Sequence, residues 1–264
     1  MHSYTQLHQF WECPRAFGFQ QMGYHPIVLP EPMTTGVLTH AAIASYFRGG
    51  DWTKVMAALL TEANEVLDKI PDNVKRTEAS EDLITAFGRA QDLTLRYIEQ
   101  KACDYIPIFV EQEFRHDRVV IHPDLVAYFK ENNTIIITDI KTSKSPDLRA
   151  YDLSGQVDLY AIVLKRVEAL KATLVAYDVI SEEGIYRIIR PPRREVGERL
   201  YTEIAVLSKE LENLNLLDWP HARWDCPGRC DFFEACYIMD TADERACFDY
   251  LNANYLRNLK EEKL

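Results

Sequence analysis

Two aspartates and a lysine lie where the sequence predicts neighbouring β-strands. Asp124 sits inside one apolar run, and Asp139 and Lys141 end the next run, after a polar turn of sequence Lys-Glu-Asn-Asn. This short separation predicts a hairpin that brings the three side chains together. Because strand side chains alternate between faces, we expect Asp139 and Lys141 on one side and Ile140 in the core.

Carboxylates that cluster on apolar strands are costly unless positive charge lies between them, and a hard divalent cation is the usual solution. Mg²⁺ or Mn²⁺ could bind a phosphate oxygen, lower the pKa of a water molecule and stabilise an in-line displacement. Lys141 would orient or deprotonate that water. The alternative is that Asp124 and Asp139 are polar interruptions at a bulge and a strand end, with Lys141 a solvated charge.

Helical patterns flank this hairpin. Residues 34–47 predict a helix that carries Gly36 and His40 one turn apart, and residues 147–165 predict an amphipathic helix on which Gln156 and Tyr160 share a face. Taken alone, His40 could be a core or capping histidine, and Gln156 and Tyr160 could be an ordinary helix surface.

Four elements follow one another along the chain: a G-x-x-x-H helix, an Asp-Leu strand, a strand ending in D-x-K and a Q-x-x-x-Y helix. Together they resemble the RecB-like branch of the PD-(D/E)xK nucleases. The resemblance spans most of the chain. It implies metal ligation by His40, Asp124, Asp139 and the backbone carbonyl of Ile140, catalysis by Lys141, and DNA contact or site support by Gln156 and Tyr160. It also implies an acidic residue on the preceding strand, which is either Glu111 or Glu113.

The segment before Asp124 departs from that family pattern. The sequence reads Ile121-His122-Pro123, where the family often has a glycine three residues before the aspartate. Pro123 cannot donate a ladder hydrogen bond, so we expect a strand edge or a bulge there.

Cysteines form a second signal. Cys226, Cys230 and Cys236 cluster near the carboxyl end, and Cys13 lies near the amino end. With no signal peptide expected, the cluster indicates a metal site rather than disulfides, and the spacing leaves both zinc and iron–sulfur open. Cys103 and Cys247 lack an assigned partner, and we expect both to be buried free thiols.

The same resemblance bears on these cysteines. AddB-type nucleases and CRISPR-associated RecB-like exonucleases have one cysteine before the nuclease core and three after it, which Cys13, Cys226, Cys230 and Cys236 match. It therefore implies a structural 4Fe-4S cluster that joins the two ends of the chain, with zinc as the alternative.

The net charge of −11 argues against indiscriminate nucleic-acid binding, because phosphate contacts need clustered cations. One such cluster exists in the segment that carries Arg187, Arg190, Arg193 and Arg194. It could line a DNA groove or be an ordinary solvated surface.

The hydrophobic content of 47% is enough for a good-sized core, and no apolar run reaches membrane-spanning length. The order of elements predicts an α/β fold with a restriction-endonuclease-like αβββαβ core, an N-terminal helical insertion and a C-terminal cysteine-cluster segment. Helices are predicted at 4–12, 34–48, 52–68, 79–100, 147–168, 194–214 and 242–257. Strands are predicted at 107–116, 118–129, 133–141, 172–180 and 184–190.

We therefore expect a single nuclease unit over residues 1–264, cytoplasmic and without a membrane partner. Its parts are an N-terminal segment (1–33), a helical region with His40 (34–104), the nuclease core (105–192) and a C-terminal helix with the iron–sulfur segment (193–264). The expected activity is metal-dependent DNA exonuclease action on single-stranded DNA or DNA ends, with a helicase or integrase as protein partner. The alternative is a non-cleaving DNA-end-binding subunit of a recombination or CRISPR-adaptation assembly. The exonuclease preference and the protein partners come from the resemblance alone.

Overall fold

The computed structural model describes residues 1–27, 30–68, 70, 73–213, 226 and 230–257. Within them the helices are α1 (Tyr4–Glu12), α2 (Pro14–Gln21), α3 (Glu31–Phe47), α4 (Trp52–Leu67), α5 (Asn73–Gln100), α6 (Leu148–Leu153), α7 (Gln156–Val167), α8 (Arg194–Glu210), α9 (Phe233–Thr241) and α10 (Glu244–Asn254). The strands are β1 (Tyr24–Pro26), β2 (Tyr105–Val110), β3 (Phe114–His116), β4 (Val119–Ile121), β5 (Leu125–Phe129), β6 (Thr134–Thr142), β7 (Leu174–Ile180), β8 (Ile185–Arg190) and β9 (Tyr255–Arg257).

The chain divides into two compact units. One comprises Leu29–Glu203, and the other comprises Met1–Val28 with Ile204–Leu264. Among the described residues, no helix is both long enough and apolar enough to cross a membrane.

A five-stranded mixed sheet organises the unit of Leu29–Glu203, in the order β2-β5-β6-β7-β8. β6 and β7 run parallel, and the other neighbours are antiparallel. The parallel pair is joined through α6 and α7, as a parallel pair requires a crossover. This mixed α/β architecture confirms the predicted restriction-endonuclease-like fold class, and the β5–β6 hairpin confirms the predicted antiparallel pairing.

Alternation along β6 separates the two faces of the sheet. Ile136 and Ile140 pack with Ile43 of α3 and with Leu93 and Tyr97 of α5 in one buried cluster. Asp139 lies on the opposite face, toward α7, because consecutive strand residues point to opposite sides. The carboxyl end of β6 therefore lies between a helical layer on each face.

Three predicted elements are shorter in the structure than the sequence patterns indicated. The predicted strand 107–116 divides into β2 and β3, and 118–129 divides into β4 and β5, while β3 and β4 form a separate two-stranded sheet. Pro123 explains the second break, because it cannot donate to a ladder. The predicted helix 147–168 divides into α6 and α7.

Other boundaries also differ. α3 begins at Glu31 and α5 at Asn73, both earlier than predicted, and α10 ends where β9 begins. Helices α2 and α9 were not predicted. The predicted helix 194–214 is an α-helix to Glu210 followed by a short 3₁₀ turn, and residue 214 lies outside the described residues.

The unit that contains both chain ends has its own apolar cluster. Phe19, Tyr24, Phe232 and Leu251 are buried in it, together with two of the cysteines. β1 pairs with β9, which links the amino-terminal and carboxyl-terminal segments of this unit. Arg15 is buried as well and forms an ion pair with Asp240 at 2.7 Å.

A buried charge network fastens the outer strand β8 to the sheet. Asp178 accepts hydrogen bonds from the hydroxyls of Tyr97 and Tyr105, at 2.8 and 2.9 Å, and a bidentate pair from Arg187 at 2.6 and 2.9 Å. Arg187 also reaches Asp104 at 2.6 Å. Because the Asp178 side chain has no exposed surface, every one of its partners compensates for lost hydration.

Replacing Arg187 with glutamine should lower the free energy of unfolding by about 3–5 kcal/mol, because it leaves a buried carboxylate without its cation. Urea denaturation followed by circular dichroism measures this change. Arg199→Gln is the matched control, since Arg199 forms an exposed pair with Glu203 at 3.8 Å and should change stability by less than about 1 kcal/mol. Equal effects in both variants would contradict a supporting role for the network.

Candidate metal and cysteine sites

His40 reaches the end of the sheet because α3 lies close to β6. A Cβ atom at Gly36 would come within 3.3 Å of the Thr142 hydroxyl, so glycine allows this approach. His40 follows one turn later. Its Nδ1 lies 3.3 Å from Oδ1 of Asp124 and 3.7 Å from Oε1 of Glu111.

Glu111, and not Glu113, faces this site. Glu113 is exposed and pairs with Arg115 at 2.5 Å. Glu111 has a φ of 46°, in the left-handed region that residues other than glycine rarely adopt. Arg48 at the end of α3 donates to the carbonyl of Val110 at 2.8 Å, which supports this turn. The strained backbone turns the Glu111 carboxylate toward His40.

Asp124 lies just before β5 and bridges two elements. Its Oδ1 faces His40, and its Oδ2 accepts the backbone N–H of Ile140 at 2.5 Å. The β5–β6 ladder ends at the pair Leu125 and Thr138, so Ile140 lies one step beyond it. The carbonyl of a strand residue points to the same side as its N–H, which directs the Ile140 carbonyl toward Asp124.

Asp139 is almost fully buried, with 1% of its surface exposed, and its carboxylate contacts three of the other predicted site residues. Oδ2 lies 2.7 Å from Nζ of Lys141. Oδ1 accepts hydrogen bonds from Nε2 of Gln156 at 3.2 Å and from the hydroxyl of Tyr160 at 3.5 Å. Gln156 and Tyr160 also contact each other at 2.5 Å. Helix α7 therefore fixes one oxygen of Asp139.

These groups present donor atoms that suit a divalent cation. Ligand atoms of His40, Glu111 and Asp124 lie within 4.8 Å of one another. Asp139 is not part of that set, yet its buried Oδ2 accepts no well-oriented hydrogen bond within the described residues, although the Lys141 ammonium is close. Three carboxylates and one imidazole are a donor set for Mg²⁺ or Mn²⁺.

The charge of His40 is set by its carboxylate neighbours. Burial alone would lower the pKa of His40, but Asp124 and Glu111 outweigh burial and raise that pKa to about 10. At neutral pH the imidazole therefore carries a proton that balances the acidic cluster. Metal ligation requires the neutral imidazole, so a cation must displace that proton.

Of the remaining titratable groups at the site, Asp124 and Lys141 are ionised at neutral pH, and Asp139 has a raised pKa. Burial raises the pKa of Asp139 to about 6, against the opposing effect of Lys141. Burial would also raise the pKa of Asp124, but His40 holds it below its usual range. Burial lowers the pKa of Lys141, but the negative charges of Asp139 and Asp124 raise it by more. The pKa of Lys141 therefore lies above its ordinary value, and the ammonium stays charged.

His122 is a site neighbour that the sequence patterns did not identify as functional. Its Nδ1 lies 3.0 Å from Oε2 of Glu111, and about half of its side chain is exposed. The unusual Ile121-His122-Pro123 segment was the available signal, since it departs from the family pattern just before Asp124.

Cys13, Cys226, Cys230 and Cys236 belong to the unit that contains both chain ends. Cys13, Cys226 and Cys230 line one cavity of about 130 Å³. Burial raises the pKa of the Cys230 thiol to about 11 and that of Cys236 to about 12, and the neighbouring cysteines act in the same direction. No three cysteine sulfurs lie within 4.8 Å of one another in the part of the chain that the structure describes.

Of the two cysteines without an assigned role, Cys247 is buried as predicted. Cys103 is exposed, so its predicted burial is wrong. The short 3₁₀ turn Ala102–Asp104 explains this difference, because it buries Ala102 and leaves Cys103 at the surface. The described residues contain no disulfide between the cysteines.

Binding of Mn²⁺ at pH 7 should release about one proton from His40, and apparent affinity should rise as pH increases toward about 10, because protonated imidazole cannot ligate. Calorimetry in buffers of different ionisation enthalpy counts the released protons. His40→Gln should bind Mn²⁺ more weakly and release about one proton fewer. A proton count that does not depend on His40 would contradict this assignment.

Comparisons with known proteins place this geometry in a family. A model described as "PD-(D/E)XK nuclease superfamily" matches residues 2–237. No curated protein matches the sequence. The protein is similar to the crystal structure of SSO0001, with 15% sequence identity and a TM-score of 0.31. The match covers 51% of this chain and 65% of the SSO0001 chain. The assignment therefore rests on the family model, which covers most of the sequence: the chain belongs to the PD-(D/E)XK nuclease superfamily.

Proposed function

We propose that this protein is a Mg²⁺- or Mn²⁺-dependent nuclease that hydrolyses DNA phosphodiester bonds at the site formed by His40, Glu111, Asp124, Asp139 and Lys141. The observation that carries the proposal is the convergence of carboxylates and an imidazole beside a lysine at the end of β6. A scaffold protein has no physical need to bury Asp139 next to other acids, since each uncompensated carboxylate costs free energy.

The donor set assigns the metal ligands. His40, Glu111 and Asp124 would hold the ion from one side, and Oδ2 of Asp139 and the carbonyl of Ile140 would complete the site. When bound, the ion would supply Lewis-acid stabilisation of the phosphate and a water of lowered pKa. Gln156 and Tyr160 keep Oδ1 of Asp139 in place, so Oδ2 remains directed into the site.

Lys141 is suited to orienting a nucleophile rather than accepting a proton. Its pKa is raised by Asp139 and Asp124 despite burial, so the side chain stays an ammonium at neutral pH. One third of this side chain is exposed, which leaves it accessible to water and to a phosphate oxygen. We assign Lys141 the positioning of the attacking water and the stabilisation of developing negative charge.

Single-stranded DNA or DNA ends are the substrates we propose, with exonucleolytic cleavage. The preference for exonuclease action follows the resemblance to RecB-like nucleases. The charge distribution supports a short contact with DNA. The net charge is −11, and Arg187, Arg190 and Arg193 are each paired with a buried aspartate, Asp178 or Asp158. Fewer free cations favour a small number of phosphate contacts over a long duplex footprint.

A 4Fe-4S cluster bound by Cys13, Cys226, Cys230 and Cys236 is the second part of the proposal. A tetrahedral zinc ion with Zn–S bonds of about 2.3 Å needs sulfurs about 3.8 Å apart. No three of the described thiol sulfurs lie within 4.8 Å of one another, and three of the thiols line one cavity, an arrangement that suits a group larger than a single ion. The cluster would tie α2 to the segment before α9 and stabilise that unit.

Lys141→Ala should reduce metal-dependent cleavage of end-labelled single-stranded DNA by at least about 100-fold, because the water loses its orienting cation. The assay uses protein purified without oxygen, with Mn²⁺, Mg²⁺ or chelator. Lys165→Ala, at the exposed end of α7, is the matched control and should cleave normally. DNA binding without cleavage by the unaltered protein would favour the end-binding subunit instead.

Anaerobically purified protein should contain about four iron atoms and four acid-labile sulfides per chain, with visible thiolate-to-iron absorbance. Cys230→Ser should lose the iron and the absorbance and become less soluble. Cys103→Ser is the control, since that cysteine is exposed and should leave the iron content unchanged. Colourless protein that holds one zinc ion would reject the cluster.

A further inference from the structure

We infer that Arg190, Arg193 and Asp158 form an arginine clamp that positions Gln156 against Asp139. The two arginines would then be positioning residues of the nuclease site rather than DNA contacts. The effect of the clamp on DNA cleavage rests on the proposed function. The clamp itself is defined by contacts within the unit of Leu29–Glu203.

The clamp is a fully buried carboxylate held by two guanidinium groups. Arg190 donates to Oδ1 and Oδ2 of Asp158 at 2.6 and 2.9 Å. Arg193 donates to Oδ2 from Nε at 3.0 Å and from Nη2 at 2.9 Å, and its backbone N–H donates to Oδ1 at 2.6 Å. The Asp158 side chain has no exposed surface, so both arginines are engaged with an internal partner.

The same arginines also bind the junction between α6 and α7. Nη2 of Arg193 donates to the carbonyl of Ser154 at 2.7 Å, and Nη2 of Arg190 donates to the same carbonyl at 3.3 Å. Carbonyls at a helix end lack partners within the helix, so these contacts satisfy the end of α6. Asp158 lies in the first turn of α7, where a negative charge is favoured. One clamp thus fixes where α6 stops and α7 starts.

Two glycines let α8 pack against this junction. A Cβ atom at Gly155 would come within 2.3 Å of Leu200, and one at Gly197 would come within 2.6 Å of the Asp158 carbonyl. A side chain at Gly197 would collide with backbone, so the helices would have to shift, whereas one at Gly155 would displace the side chains of Leu200 and Val196. The start of α7 is therefore held from two directions, by the arginines and by α8.

Gln156 is the first residue of α7, and its amide donates to Asp139 at 3.2 Å. Any rotation or sliding of that first turn moves this donor away from the carboxylate. The N-cap, Gly155, has no side chain to fix the helix start. The clamp adds to the one weak side-chain contact at this helix start, from the Gln156 N–H to the Ser154 hydroxyl at 3.4 Å. Misplacement of groups near a reacting centre by about 1 Å can cost 100-fold in rate.

The opposing interpretation is a purely structural ion pair, and the chain offers a matched control for it. Arg187 forms a comparable bidentate pair with the fully buried Asp178, on the face of the sheet that packs against α5. Within the described residues, Arg187 forms hydrogen bonds and ion pairs with Asp178 and Asp104, and with neither Asp139 nor Gln156. Arg→Lys at 187, 190 and 193 keeps every charge and removes the fork geometry that makes a bidentate pair.

The experiment measures Mn²⁺ affinity and single-stranded DNA cleavage for the full-length protein and for Arg193→Lys, Arg190→Lys and Arg187→Lys. We expect the clamp variants to weaken Mn²⁺ binding or lower kcat by about 10- to 100-fold, the range typical of residues that support metal ligands. Arg187→Lys should lower the melting temperature about as much as the clamp variants do, but it should change neither the Mn²⁺ affinity nor kcat. Arg193→Lys should destabilise the fold less than Arg190→Lys, because a third of the Arg193 side chain is exposed. The Arg193 variant therefore still tests the inference if Arg190→Lys fails to fold.

A double-mutant cycle with Gln156→Ala then separates positioning from general stability. If the clamp acts through Gln156, Arg193→Lys should cause little further loss in the Gln156→Ala background, whereas independent effects would multiply. Multiplying effects, or clamp variants that bind Mn²⁺ and cleave DNA normally, would overturn the inference. If the unaltered protein binds Mn²⁺ but cleaves no DNA, the proposed function fails, and the Mn²⁺ affinities still decide the clamp.

Discussion

The burial of Asp139 at the end of β6 is the constraint on which the rest of the site depends. A carboxylate with 1% exposure needs compensating partners, and these come from two elements: Lys141 from β6 itself, and Gln156 and Tyr160 from α7. Asp124 adds a second acid, and protonated His40 offsets it. The Lys141 ammonium and the protonated His40 thus offset two of the three carboxylates, and a divalent cation could replace the His40 proton in that role.

Much of this arrangement was predictable because it follows from periodicity. The hairpin of β5 and β6, the shared face of Asp139 and Lys141 and the i, i+4 pair on α7 all come from the repeat of two in strands and of 3.6 in helices. The breaks were harder to predict. Pro123 signalled one of them, whereas the split between α6 and α7 lies at Gly155, which packs closely against Leu200, a residue distant in sequence.

The choice between Glu111 and Glu113 could not be made from the sequence, because alternation alone assigns both to the same face of a regular strand. The structure ends the strand at Val110, and the positive φ of Glu111 then redirects its side chain toward His40. The sequence likewise left the arginine-rich segment open as a DNA groove or a solvated surface, since charge runs carry no information about buried partners. Asp158 and Asp178 are those partners, and they bind Arg187, Arg190 and Arg193 in internal ion pairs.

The most direct test of the metal site is anomalous diffraction from crystals grown with Mn²⁺. The account predicts an anomalous peak bounded by His40, Asp124 and Asp139, with carboxylate oxygens and an imidazole nitrogen within about 2.0–2.6 Å of the ion. Glu111 should also contribute a ligand to that coordination shell. A Mn²⁺ ion bound elsewhere, with His40 still paired to Asp124 at saturating metal, would contradict the account.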